Sequence, residues 1–275
     1  PRAAPGYQTP PAHGSVSGAS FALWVFTLFK QTQRSDGEAC AMAERGLQNA
    51  SEIDHRQWMT GHEFNLAILY SELLSAAVAR RHAQRALALA KEMGSQYWIN
   101  QVTGVLAEAY LQQGEIDLCR EALAGILDAE TPMDSHAKRY CWLRRAELAL
   151  AEEQPQTALQ IIERLIAATP DVEGAVFPTV WMVHARALLA LGRSQEAEAI
   201  LLQALDATRA GHAHLWRVYA ALAQLYVVTG DGAKAAEMAA DGRDVVERLA
   251  AAVADEVVRE NFRERALARL SPHPS

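Results

Sequence analysis

The stretch Trp181-Met-Val-His-Ala185-Arg-Ala-Leu188-Leu-Ala-Leu-Gly192-Arg-Ser-Gln-Glu-Ala197 reads as two helices meeting at a glycine. Residues 176–191 supply the first, Gly192-Arg-Ser194 the turn, and residues 195–209 the second, with Gly211 ending the unit. Glycine gives the left-handed backbone that closes a helix. Ser194 ahead of Glu196 has the chemistry of a helix cap with an acidic first turn. Ala185 and Ala197 are small where the two helices come closest; a large side chain there would push the axes apart from their usual spacing of about 8–10 Å.

The pattern recurs along the chain. Thr27, Ala67, Ala107, Ala146, Ala185 and Ala223 mark one helix of each unit at spacings of 40, 40, 39, 39 and 38 residues. Twelve residues after each comes a second marker: Ala39, Ala79, Cys119, Ala158, Ala197 and Ala235. The turn glycine is present in three copies, Gly114, Gly192 and Gly230. Repetition on this scale predicts a stacked array in which each unit contacts its neighbours, not a globular enzyme domain. The expectation is an all-α fold, an α-solenoid of about six helical hairpins over residues 19–249. Each repeat carries one tryptophan (Trp24, Trp58, Trp98, Trp142, Trp181, Trp216). These read as filler between neighbours, with a stacking platform for a ligand as the alternative.

The ends differ from the middle. Residues 1–18 hold Pro1, Pro5, Pro10 and Pro11 with Gly6, Gly14 and Gly18, which is linker chemistry. A first residue other than methionine suggests a piece of a longer polypeptide, with processing or trimming as alternatives. Residues 250–275 read as a capping helix and a fraying tail. Asp255-Glu256 opens a helical turn, and Arg259 to Leu270 carries an apolar stripe under a densely charged face, as the end of an array requires.

Composition narrows the function. Half of the 275 residues are apolar and the net charge is −7. Nucleic-acid binding needs a basic face that displaces counterions from phosphate. Arg80-Arg81 and Arg144-Arg145 are isolated pairs that read as helix surface, so direct nucleic-acid binding is not expected. The apolar run 21–29 is far shorter than the roughly 20 residues a bilayer span needs, and reads as the buried first helix of repeat one. No membrane contact is expected. Cys40, Cys119 and Cys141 lack paired spacing and read as small buried residues of a reducing compartment, which places the chain in the cytoplasm.

Sites of chemistry are sparse. No Gly-Lys pair exists to build a phosphate loop, and no G-x-G-x-x-G follows a strand. His62-Glu63 has Leu66 where a zinc helix needs its second histidine. His212 and His214 fall on different helix faces and read as turn residues, and Glu152-Glu153 as solvated carboxylates. No G-x-S-x-G elbow occurs. No catalytic residue, cofactor or metal ligand is expected: the segment reads as non-catalytic.

Trp181, Ala185, Leu188, Gly192, Ala197 and Ala204, with Ala223, Tyr226, Gly230 and Ala235, resemble the tetratricopeptide repeat. The period is longer than the 34 residues of that repeat and its closing proline is missing, so longer helices or looser turns must absorb the difference. Glu247 through Phe262, with the stretches around Phe21–Trp24 and Glu63–Ala67, resembles more narrowly the C-terminal region of large bacterial signalling proteins. Those join an output domain, a nucleotide cyclase or a DNA-binding domain, to a STAND-type ATPase and a terminal array of such repeats. This resemblance implies an interaction or sensor module in a multidomain ATP-dependent protein; a free-standing scaffold is the alternative. The implied partner is a protein or peptide, or the ATPase domain of the same polypeptide. It also implies that the residue after each first-helix marker faces the concave side: Leu28, Ile68, Glu108, Glu147, Arg186 and Gln224. Gln101, Tyr140 and Arg217 would extend that face. Solvated helix surface, with ion pairs such as Glu147 with Arg186, is the other reading of the same residues.

Overall fold

A computed structural model describes residues 13–32, 36–168, 178–208 and 214–271. It holds thirteen helices and no strand among the described residues. Six antiparallel hairpins follow one another. They are α1 (His13–Thr32) with α2 (Asp36–Glu52), α3 (Arg56–Glu72) with α4 (Ala76–Glu92), α5 (Gln96–Gln112) with α6 (Ile116–Ala124), α7 (His136–Ala151) with α8 (Pro155–Ala167), α9 (Pro178–Ala190) with α10 (Ser194–Ala207), and α11 (Leu215–Thr229) with α12 (Gly232–Ala251). A last helix, α13 (Glu256–Leu270), follows. The odd-numbered helices pack on one another in series from α1 to α13, and each even-numbered helix packs on both flanking odd ones. The fold is therefore an α-solenoid, and α13 takes the place of a seventh first helix without a partner.

The markers do what their size predicts. All twelve are buried, none more than 2 % exposed. The residue seven places after the first marker is left-handed in every described copy: Leu74 (φ 55°), Gly114 (73°), Glu153 (57°), Gly192 (76°) and Gly230 (83°). The copy at position 34 lies outside the described residues. The next amide closes the turn each time, from Ser75 to Tyr70, Glu115 to Tyr110, Gln154 to Ala149, Arg193 to Leu188 and Asp231 to Tyr226, at 2.8–3.0 Å. One backbone turn thus recurs with and without glycine.

Some local expectations change. Ser194 is the first helical residue, and Arg193 holds the capping position with no side-chain cap. Phe21 and Val25 in α1 are exposed, so the first helix is not fully buried. Helix α1 starts at His13, inside the stretch expected to be linker; residues 1–12 lie outside the described residues, as do Gly211 and His212. In repeat three the second helix stops at Ala124, and the Asp128 carboxylate organises the following loop by accepting from Glu130 N and Thr131 Oγ1. Asp255 caps α13 as expected, accepting from Val258 N at 2.9 Å.

The array also closes on itself. Leu73 and Leu74, in the turn after α3, share one apolar cluster with Leu215, Trp216, Val245, Val253, Phe262, Ala266 and Leu270. Asn261 of α13 donates from Nδ2 to Leu74 O (3.4 Å) and Ser75 Oγ (3.1 Å). Arg217 of α11 reaches Glu72, the last residue of α3. The end of the chain is therefore docked on repeat two.

Candidate functional site

Closure gathers side chains from six odd-numbered helices. Tyr140 of α7 donates its hydroxyl to Glu108 of α5. Gln112 bridges Glu108 Oε1 (3.3 Å) and Ser71 O (3.2 Å) at the end of α3. Arg144 pairs with Glu147 at 2.7 Å, lies 3.7 Å from Glu108, and spreads its guanidinium over the Tyr140 ring at 4.6 Å. Glu72 is close enough to act electrostatically on both Tyr140 and Arg144. Arg217 Nη2 meets Glu72 Oε2 at 3.2 Å, and His214 Nε2 lies 3.8 Å from Glu72 Oε1. Arg269 of α13 feels Arg217, Arg186 of α9, Arg265 and, from across the array, Glu108.

The local sequence makes room for this network. Gly104 of α5 lies against Tyr140; a Cβ there would stand 2.4 Å from Tyr140 Cδ1. Burial and then the Glu108 carboxylate push the Tyr140 hydroxyl well above its ordinary value, so it stays a donor. Burial opposes the charge of Arg144, but the carboxylates of Glu147, Glu108 and Glu72 outweigh it and hold the guanidinium protonated. At the far end the balance reverses. Surrounding protein, then Arg217, Arg186 and Arg265, lower the Arg269 guanidinium to about 10. One end of the network is neutralised by carboxylates, and the other carries unbalanced positive charge.

Of the residues expected on the concave face, Glu108, Tyr140, Glu147, Arg186 and Arg217 come together here. Gln101 does not join them: its Nε2 donates to Tyr97 Oη at 3.3 Å on the same helix. Gln224 is exposed on α11, and Ile68 packs partly buried in the core. The side chain of Leu28 lies outside the described residues. The expected Glu147–Arg186 pair is replaced by Glu147–Arg144, because Arg144 stands one helical turn from Glu147. Arg144 itself is not helix surface: it is 4 % exposed and central to the network. Glu152 is not a free carboxylate either; it binds Arg120 at 2.7 Å and Arg145 at 3.4 Å.

Glu72, Gln112, Arg144 and Arg269 escaped the sequence reading. One signal was available. Two places before each first marker stand Val25, Asn65, Val105, Arg144, Val183 and Ala221. A charged residue at a mostly apolar register position points to a partnered buried charge. Among the described residues no group of three His, Cys, Asp or Glu is arranged to hold a metal. Burial pushes the Cys119 and Cys141 thiols up to about 12, so neither is a ready nucleophile. No helix is long and apolar enough to cross a membrane among the described residues.

Residues 149–222 match the family model described as tetratricopeptide repeat. No curated protein matches the chain. Among solved structures, a tetratricopeptide repeat protein from Parabacteroides merdae is 15 % identical, covers 94 % of this chain and 91 % of its own, and has a TM-score of 0.56. The structure of NprR in complex with its cognate peptide NprX is 13 % identical, covers 91 % of this chain and 72 % of that one, and has a TM-score of 0.64. The structure of Rap protein complexed with competence and sporulation factor is 11 % identical, with coverage of 92 % and 74 % and a TM-score of 0.64. At these identities the likeness is one of fold: a tetratricopeptide-repeat-like solenoid.

Proposed function

We propose that this chain is an interaction module whose inner face holds a protein or peptide segment. The supporting observation is that successive odd-numbered helices, α3 to α13, direct polar and charged side chains to one shared face, an arrangement that packing alone does not require. Arg186 and Gln224, each directly after a buried marker, are exposed on α9 and α11. The fold-level likeness to NprR, solved in complex with its cognate peptide NprX, and to Rap protein, complexed with competence and sporulation factor, supports the same reading. The resemblance of residues 247–262 to the terminal arrays of STAND-type signalling ATPases adds a finer proposal: in the cytoplasm of a bacterium the module senses a partner for a cyclase or transcriptional regulator, and binding shifts that protein between two states. Such a shift requires different affinity for the two states.

Site-specific photo-cross-linking tests the inner face. A benzoylphenylalanine at position 224 should cross-link a partner in source cells, whereas the same group at position 202, exposed on α10, should not. Equal labelling from both positions would sink the inner-face reading. An immunoblot for native size tests the parent: a band near 30.1 kDa would contradict a multidomain protein.

A further inference from the structure

The closed array is held along one seam. On one side stand Glu72, Leu73, Leu74 and Ser75, the end of α3 and the turn that follows it. On the other stand Leu215, Trp216 and Arg217 of α11 with Asn261, Phe262 and Leu270 of α13. Arg217 Nη2 donates to Glu72 Oε2 at 3.2 Å and to Glu72 O at 3.4 Å, so one guanidinium holds both the side chain and the carbonyl end of α3. Asn261 Nδ2 holds Leu74 O and Ser75 Oγ. Apart from each other, the buried neighbours of Leu73 and Leu74 in their apolar cluster all belong to residues 215–270.

Nothing larger spans the seam. Among the described residues, α3 packs on α1, α2, α4 and α5, α11 on α9, α10, α12 and α13, and α13 on α11 and α12. No helix of the first three hairpins packs on α11, α12 or α13. Parting the seam therefore separates no pair of packed helices. Small changes of angle, summed over the intervening repeats, suffice to move its two sides apart. The turn is also equipped to stand alone. Ser75 occupies the capping position of α4, yet its side chain caps nothing there. At the capping positions of α5, α7, α12 and α13 the side chains of Ser95, Ser135, Asp231 and Asp255 each accept from the amide three residues on. Once Asn261 withdraws, Ser75 Oγ is free to accept from the Val78 amide in the same way. A cap bond then replaces a seam bond.

We infer that this seam is a reversible clasp, and that the array has a closed form and an open form in which the turn 72–75 has left its seat on α11 and α13. Leu74 drives closure, because its cover comes from the far side. The Glu72–Arg217 pair fixes the register. The clasp couples residues 145 positions apart in sequence, so a ligand of either side of the seam biases the shape of the whole array. It does not depend on what the inner face holds.

Pulsed electron double resonance on the full chain is the test, with spin labels on genetically encoded azide side chains at positions 84 and 243. Both positions are exposed, one on α4 and one on α12. The parent should show one principal short distance. Leu74→Asp places a carboxylate in the apolar seat, where burial opposes it, although aspartate accepts the left-handed backbone. Its principal distance should become longer. Arg217→Glu sets a like charge against Glu72 and should shift the distance in the same direction. Leu74→Met keeps the apolar volume and should retain the short distance. Helix content, read by far-ultraviolet circular dichroism, should match the parent in all three. The short distance persisting in both Leu74→Asp and Arg217→Glu would overturn the clasp. Loss of helix content in both would overturn it too, since the seam would then be part of the fold. If only one of the two loses helix, the distance in the other decides. A long distance in Leu74→Met as well would assign the change to the turn itself and overturn the role of the seat.

Discussion

Arg217 Nη2 sits 3.2 Å from Glu72 Oε2 although 145 residues separate them in sequence. Beside this contact, Leu74 is 1 % exposed in the cluster formed by Trp216, Phe262 and Leu270. Leu74 occupies the turn position that three other repeats give to glycine, with φ at 55°. A non-glycine residue in that conformation costs roughly 1–2 kcal/mol. Burying a leucine returns about 1.5–3 kcal/mol. The second term wins, which is the physical reason repeat two departs from the glycine pattern: its turn is the anchor for the end of the chain.

Leu74→Gly should therefore destabilise the chain even though it relieves backbone strain, by about 1–3 kcal/mol. Glu153 provides the control. It takes the same left-handed conformation with an exposed side chain, so Glu153→Gly should be neutral or stabilising by roughly 0.5–1 kcal/mol. The denaturant midpoint should fall for Leu74→Gly and hold or rise for Glu153→Gly. A shared direction would mean that Leu74 is not an anchor.

The close approach of Gly104 to Tyr140 gives a second test. Gly104→Ala places a methyl group 2.4 Å from Tyr140 Cδ1, so the ring must leave its hydrogen bond to buried Glu108. The expected cost is about 1–3 kcal/mol. Most of the cost attributable to the clash should vanish in a Tyr140→Ala background, read as the coupling in a double-mutant cycle. Additive losses would show that Gly104 serves only its own helix.

Ala185, 2 % exposed between α9 and its neighbours, fixes the register of the array. Ala185→Trp should overpack that contact and lower the thermal midpoint, at a cost of about 1–3 kcal/mol or more. An unchanged midpoint would show that the helix packs differently from the repeat pattern.

The repeat was legible in the sequence because its signals are local. Small residues at two register positions and glycine at a third report helix–helix distance and turn geometry within one hairpin. The turn was legible even where glycine is missing, since Leu74 and Glu153 stand at the expected place. The site was only half legible. The position directly after the marker singled out Glu108, Glu147 and Arg186, a choice that depends on one helix at a time. It could not find Glu72 or Arg269, whose neighbours lie several repeats away and meet them only when the array closes. Arg144 was misjudged because an arginine pair on a helix is usually solvated. Its burial depends on Glu108 one repeat earlier and Glu147 one turn later. Mid-helix glycines such as Gly46 and Gly104 carried information that composition hides: each is a space reserved for a named side chain from another helix.

Gly46 leads to the pH dependence of the fold. The His62 ring fills the space that a Gly46 side chain would occupy, and its Nε2 lies 3.0 Å from Ser20 Oγ and 3.2 Å from Ser20 O. His62 is fully buried, and burial lowers its pKa from 6.5 to about 4 against a weaker opposing pull from the Ser20 carbonyl. The folded chain therefore keeps His62 neutral while the unfolded chain protonates it below pH 6.5. Protons bind the unfolded state more readily, so stability present above pH 6.5 declines as pH falls and levels off near pH 4. The full drop is at most about 3 kcal/mol, from 1.36 kcal/mol per pH unit of displacement. His136 and His184 are also lowered by burial and act in the same direction, so comparison with a variant isolates His62. His62→Gln keeps a polar group facing Ser20 but removes the titration. Its stability, measured by denaturant unfolding between pH 7.5 and 4, should fall less steeply than that of the parent. Identical slopes in the two proteins would show that His62 is hydrated in the folded state and titrates normally.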